Sequence, residues 1–180
     1  YEFIKPYIVP RFINDSYACI ENRGTHKAIN KAQEYMQKMK NKYGTYYIVK
    51  CDIKGFFYNI DKDILFSILK KFIKDEKILS LTYEFVYDDS QEIGLPIGNY
   101  TSQFFANIYM NELDYYIKYN LRIKYYLRYM DDFIIFVQSK EEAREVLDAV
   151  SKYVSSRLHL ELNNKSRYYP NKMGLDFCGF

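Results

Sequence analysis

RYMDDFIIF, residues 128–136, sets two adjacent carboxylates, Asp131 and Asp132, between an aromatic residue and an unbroken apolar run. Residues 125–129 and 133–137 are rich in β-branched and aromatic side chains. The three residues between them, Met130, Asp131 and Asp132, are of hairpin-loop length. One Asp in a turn is ordinary, because its side chain bonds to nearby backbone. Two side by side repel, and flanking apolar strands lower the local dielectric, so the pair costs energy unless a cation neutralises it. A divalent metal would do so.

Working outward, TYYIVKCDI at 45–53 reads as a buried strand that ends on a third carboxylate, Asp52, where its pattern promises another apolar residue. Neighbouring strands lie roughly 5 Å apart, so an Asp ending one strand can meet an Asp at the tip of an adjacent hairpin. Carboxylates converging with substrate phosphates are how Mg²⁺ is usually held. In two-metal phosphoryl transfer one ion activates the attacking hydroxyl and the other steadies the leaving pyrophosphate. Spacing alone therefore points to metal-dependent phosphoryl or nucleotidyl transfer and names no substrate.

Composition bounds the alternatives. With 180 residues, 48% hydrophobic and 27% charged, the chain fits one globular domain with a real core. Its 21 Tyr and 13 Phe against no Trp suit a wet groove for bases or sugars. A formal charge of +3 is too small to identify a nucleic-acid binder by bulk electrostatics. The Lys38, Lys40, Lys42 and Lys70, Lys71, Lys74, Lys77 strings could line a groove, but solvated helix faces are the simpler reading of each. Three scattered cysteines, Cys19, Cys51 and Cys178, support neither a disulfide framework nor a zinc site, and fit a reducing cytoplasm. No apolar stretch approaches the ~18 residues of a membrane span. Beginning on Tyr1 and ending within GLDFCGF, the sequence reads as cut from something longer.

Elements alternate along the chain without a repeat or linker. Ala28, Ile29, Ala32, Met36, Met39 and Tyr43 predict a helix over 26–42. Asp61 predicts the N-cap of another helix, with Ile64, Leu65, Ile68, Leu69 and Phe72 as its apolar stripe. An extended, polar-tipped stretch is expected at 82–93, carrying Asp88 and Asp89. GLPIGNYTSQ at 94–103 reads as a loop leading into a helix with Phe104, Ile108, Leu113 and Ile117. After the hairpin, Ser139 and Glu142 form a capping box for a further helix. Leu158, Leu160 and Leu162 alternate as a strand, and GLDFCGF is expected to be the last. This order predicts an α+β domain, an antiparallel sheet backed by helices in the split βαβ arrangement.

Three stretches in order carry a resemblance to reverse transcriptases. YMDD at 129–132 resembles their catalytic hairpin, KCDIKGFFYNID at 50–61 their first carboxylate motif, and GLPIGNYTSQFFANIYMNELD at 94–114 their template-gripping loop and helix. LNNKSRYY at 162–169 is similar to the family's next motif and GLDFCGF to the start of its primer grip. The resemblance implies a polymerase palm with partial fingers and no thumb, about 1–44 and 62–93 being fingers-like and 45–61 and 94–180 palm. It implies an RNA-directed DNA polymerase working on an RNA template, a DNA or RNA primer and dNTPs, with room for an accessory nucleic-acid-binding protein and no membrane.

By the same resemblance, Asp52 and Asp131 would bind two Mg²⁺ ions, with Mn²⁺ as a substitute. Asp132 would complete the cluster, and the Ile53 carbonyl would touch one ion. Phe57, beside Phe56, would close over the sugar and clash with a 2′-hydroxyl, the group that separates ribonucleotides from deoxynucleotides; one of these two rings, taken as lying on a strand, should face outward. Lys165 would protonate departing pyrophosphate. Tyr129, Met130, Ile97, Gly98 and Gln103 would line the substrate site, with Thr101 and Ser102 near phosphates or capping a helix. Arg11, Arg23, Lys27 and Arg128 are candidates for the triphosphate or strand backbone, with surface placement the simpler alternative. His26 and His159 lack metal-ligand company.

Many relatives carry Gln-Gly, three residues, then Ser-Pro, where this chain has Ile97-Gly98 and Ser102-Gln103. That departure, with FINDSYACIENRGTHKA at 12–28, resembles the bacterial, group II intron-like enzymes of diversity-generating retroelements, which copy template adenines with errors. Group II intron and defence-associated enzymes carry similar loops. An RNA-copying polymerase or a palm-type cyclase is disfavoured by Phe57, YMDD and GLPIG. The alternative from another class is a noncatalytic nucleic-acid-binding fragment that keeps the polymerase fold but is inactive without its thumb.

Overall fold

Apolar side chains on both faces of β1, Tyr47–Cys51, make it the centre of the sheet. The structure, a computed structural model, describes residues 2–87, 93–96, 98 and 100–179. Asp88, Asp89 and Ile97 lie outside the described residues. β2, Tyr126–Tyr129, β3, Asp132–Val137, and β4, Arg167–Pro170, complete a four-stranded sheet in the order β2-β3-β1-β4. Every neighbouring pair is antiparallel. β1 and β2 therefore run parallel with β3 between them, and β3 and β4 run parallel with β1 between them. This is the split βαβ arrangement expected of a palm.

Seven α-helices are described: α1, Lys5–Ile8; α2, Thr25–Tyr43; α3, Phe56–Asn59; α4, Lys62–Phe72; α5, Glu76–Val86; α6, Tyr100–Tyr115; and α7, Lys140–Leu158. The period-2 alternation of the strands divides them between two cores. Val49, Cys51, Phe133, Ile135 and Val137 belong to the larger core, which includes apolar residues of α6 and α7. Ile48, Leu127, Ile134 and Phe136 point the other way, with Ala28, Ala32, Tyr35 and Met39 of α2. Each Val, Leu, Ile, Phe or Met among them, removed from water, stabilises the fold by about 1.5–3 kcal/mol. α4 packs on α6, and α5 packs on α4.

Local chemistry sets the helix ends. The Asp61 carboxylate accepts from Ile64 N–H at 3.0 Å, and Asp75 accepts from Lys77 and Ile78 at 2.9 and 3.0 Å. Ser139 Oγ accepts from Glu142 N–H at 3.1 Å. The Glu142 carboxylate reaches one residue before the cap and accepts from Gln138 N–H at 2.9 Å, a shifted version of the predicted box.

Four expectations are corrected. Residues 82–86 are not extended: Asp75 starts a helix whose Ile78, Thr82 and Val86 recur at helical spacing, and the chain stays helical to Val86. Leu158, Leu160 and Leu162 do not form a strand, because Leu158 closes α7 and His159 turns the chain at φ 49°. Leu162 keeps a single bridge to Ile53. The last strand is Arg167–Pro170, and residues 174–179 run as loop and turn that bury Phe177. Asp132 is part of β3 and pairs with Tyr129, so the hairpin loop has two residues, Met130 and Asp131. Met130 takes a left-handed φ of 58° to make so tight a reversal.

Candidate active site

β1 pairs Cys51 with Phe133 of β3. One residue further along this register Asp52 falls opposite Asp132, where antiparallel Cα atoms are about 5 Å apart. Lys50 and Ile48, at alternate positions, share their face with Asp52. α2 covers the Ile48 end of that face and leaves the Asp52 end open. There a cleft of about 500 Å³ is lined by Lys50, Asp52, Asp132, Lys165, Ser166, Arg167 and Asp176, among others.

The loop after α7 fixes Asp52. Its carbonyl accepts from Asn163 N–H at 2.7 Å, and its N–H donates to Ser166 Oγ at 3.2 Å. The Ser166 hydroxyl lies 3.3 Å from the Asp52 carbonyl, to which it donates. Asn163 Oδ1 accepts from Lys165 N–H at 3.1 Å, which closes the turn and leaves the Lys165 side chain exposed at the cleft.

The acids are electrostatically coupled. Burial pushes the Asp132 carboxyl up to about 6; the Lys50 ammonium pulls the other way, and Asp52 and Asp131 add to the rise. Asp131 is likewise raised by burial and by Asp52, against its own backbone and Arg128. Asp132 Oδ1 is buried with no hydrogen-bond partner. Among the described residues no three His, Cys, Asp or Glu side chains meet as a ready metal cage, so the expected three-way convergence is looser than the motif implies. Magnesium is commonly held by one or two carboxylates with substrate phosphates supplying the rest, and the hard oxygen donors and orphaned Oδ1 fit that chemistry.

Other expected site residues are placed as follows. Phe56 is 3% exposed in the core, whereas Phe57 is half-buried and touches it edge-on at 5.4 Å. Both rings sit on the short helix α3, not on a strand. Gly94 N–H donates to Ile60 carbonyl at 2.8 Å and Leu95 N–H to Phe57 carbonyl at 2.7 Å, tying GLPIG to α3. Gly98 is exposed at φ 91°, and Ile53 is buried. Gln103 Oε1 accepts from Cys19 Sγ at 3.1 Å, and Tyr129 Oη accepts from Thr25 Oγ1 at 3.1 Å. Ser102 is buried in α6. Arg23 is not free for a triphosphate: its Nη1 donates to the carbonyls of Ile13 and Ser16 at 2.5 and 2.7 Å. Arg11 lies over the Phe72 ring, and exposed Lys27 bonds to the Asn22 carbonyl. His159 meets Asp61 at 3.0 Å.

Arg128 overturns its surface expectation, being wholly buried against Asp114. The signal lay in α6, where Asn107, Asn111 and Asp114 form a polar stripe at helical spacing inside an apolar helix. Lys50, Ser166 and Asp176 were also missed; single polar residues on strands and loops carry no periodic mark.

The match of residues 2–180 to one family profile, reverse transcriptase (RNA-dependent DNA polymerase), extends over nearly the whole sequence. A curated relative, the group II intron-encoded protein LtrA of Lactococcus lactis subsp. cremoris, is 32% identical over 117 residues. That alignment covers 60% of this chain and 18% of LtrA, so the chain spans under a fifth of that relative. Apo telomerase from Candida tropicalis, truncated from its C-terminal domain, superposes with a TM-score of 0.68 at 15% identity, covering 94% of this chain and 38% of that one. Candida albicans telomerase in complex with a TWJ fragment of telomeric RNA gives 0.65 at 12% identity, with 93% and 33% covered. These structures share the fold, and the profile, together with the palm topology and the paired acids at its open end, identifies the chain as a member of the reverse transcriptase (RNA-dependent DNA polymerase) family.

Proposed function

We propose that the chain is the fingers-and-palm portion of an RNA-directed DNA polymerase that adds deoxynucleotides to a primer 3′-hydroxyl on an RNA template. The observation that carries this reading is the cleft in which Asp52 faces Asp132, with Asp131 in the adjoining turn. Asp52, Asp131, Asp132 and the Ile53 carbonyl would hold two Mg²⁺ ions, or Mn²⁺ in their place. Bound magnesium supplies activation of the attacking hydroxyl and charge neutralisation on the leaving pyrophosphate. Lys165, exposed at the cleft, would give that pyrophosphate a proton. Phe57 excludes the 2′-hydroxyl, and Tyr129, Met130, Gly98, Gln103 and Ile97 contribute to the template and nucleotide surface. Phe56 supports Phe57 from the core.

Residues 1–44 and 62–93 serve as fingers and 45–61 with 94–180 as palm. An accessory nucleic-acid-binding protein and a cytoplasmic setting fit this reading; the three cysteines are free thiols, and no described helix is long and apolar enough to cross a membrane. A purely binding role is disfavoured, since without a cation the paired acids repel one another and phosphate alike.

Primer extension with Mg²⁺ on poly-rA tests the proposal. Asp131→Asn is expected to lower synthesis by about a hundredfold or more, and Phe57→Ala to admit ribonucleotides. Extension by Asp131→Asn at the wild-type rate would overturn it. The diversity-generating assignment rests on residues 12–28 and on Ile97 with Gln103. An aliphatic residue near the templating base loosens discrimination among incoming bases. Sequencing is expected to show errors concentrated at template adenines, and uniformly faithful copies would remove that assignment.

A further inference from the structure

Arg128 directs every N–H of its guanidinium at a partner while buried to 0% exposure. Nε and Nη2 grip the Asp114 carboxylate with two bonds of 2.7 Å. Nη2 also donates to Ser16 Oγ at 2.9 Å, and Nη1 to Asn107 Oδ1 at 2.9 Å. The remaining Nη1 proton goes to the carbonyl of Met130 at 2.8 Å. Tyr126 Oη donates to the same Asp114 at 2.6 Å, and the Arg128 backbone bonds on both sides to the N-terminal segment, at Asp15 and Tyr17.

This one side chain therefore joins α6, the N-terminal segment and the turn between β2 and β3. The turn needs such a hold. Met130 sits at φ 58°, a conformation that costs a non-glycine residue of order 1–2 kcal/mol and persists only where the surroundings enforce it. Fixing the Met130 carbonyl fixes the plane of the Met130–Asp131 peptide, and that plane sets the direction in which the Asp131 side chain leaves the backbone. Stability alone is a poor reason to bury such a pair, because apolar replacements of similar size are often neutral or stabilising.

We propose that Arg128 is a positioning residue for Asp131: anchored by Asp114, Asn107 and Ser16, it holds the Met130 carbonyl so that the Asp131 carboxylate is presented to the cation and nucleotide in one orientation. The inference rests on the polymerase reading of the cleft. It also makes the α6 polar stripe part of the machinery that aims the acid, since Asn107 and Asp114 hold the guanidinium.

The test compares wild type with Arg128→Met/Asp114→Leu, which removes both charges, and with Arg128→Lys, which keeps the charge but loses the fork. Folding is checked by circular dichroism and thermal midpoint. In folded variants kcat for dTTP addition on poly-rA/oligo-dT is expected to fall about tenfold or more with KM for dTTP nearly unchanged, and Mn²⁺ affinity, read by electron paramagnetic resonance without nucleic acid, to weaken by a similar factor. A folded variant with wild-type kcat and wild-type Mn²⁺ affinity would overturn the proposal. Should neither variant fold, NMR of the wild type decides: a scalar coupling between Arg128 Nη1 and the Met130 carbonyl supports it, and its absence refutes it. Lack of primer extension by wild type would count against the polymerase reading, while the Mn²⁺ comparison would still judge Arg128.

Discussion

Asp132 carries a cost that burial in the cleft imposes and that a bound cation would relieve. Its folded carboxyl titrates at about 6, whereas the unfolded chain restores the ordinary value of about 3.9. Between these values the folded protein keeps a proton that the unfolded chain releases, so this group favours folding most below about pH 4 and loses that contribution as the pH rises through about 6. Asp131, also raised, acts in the same direction. Asp132→Asn should therefore match wild type in stability near pH 4 and exceed it at pH 8, by about 1 kcal/mol once solvent screening is allowed for. Thermal melts in chelator at the two pH values check this. Added Mg²⁺ should raise the wild-type midpoint at pH 8 and leave the variant's nearly unchanged.

Elements were legible where a period or a cap marks them. α2, α4, α6 and α7 follow 3.6-residue stripes or Asp and Ser caps, and the β2–β3 hairpin follows two apolar, β-rich runs on either side of a short acidic turn. That Asp52 falls opposite Asp132 was legible, since a strand ending on Asp and a hairpin carrying acids at its tip can meet in one sheet; the placing of Asp132 in β3 and the looser grouping of the three acids were not. What escaped was decided by contacts distant in sequence. α5 turns Ile78, Leu79 and Val86 into the larger core, the turn at His159 breaks an alternation that looks like a strand, and Arg128 finds its carboxylate 14 residues earlier. The GLPIG loop is another such contact. A Cβ on Gly94 would stand 3.1 Å from the Tyr58 carbonyl, and φ there is +94°. Gly94→Ala should cost about 1–3 kcal/mol, read by urea denaturation. It should also weaken ribonucleotide exclusion, because the same loop holds the backbone of Phe57.

At the scale of the whole molecule, one sheet serves two cores and neither can melt without exposing it. Unfolding should be a single cooperative event, with calorimetric and van't Hoff enthalpies agreeing in the metal-free protein. Leu127→Ala on the α2 side and Ile135→Ala on the α7 side should each lower stability by about 2–5 kcal/mol and keep the transition single. Two separable transitions in either variant would show that the cores are independent. The rims of the sheet have a consequence of their own. β2 is flanked by the bridge of Ser16 to Arg128, and β4 is four residues long, opens on exposed Arg167 and finishes at Pro170. Neither margin offers a long, bare ladder for a stranger's backbone to continue. Concentrated solutions should therefore resist fibril growth, despite a chain in which nearly one residue in five is aromatic.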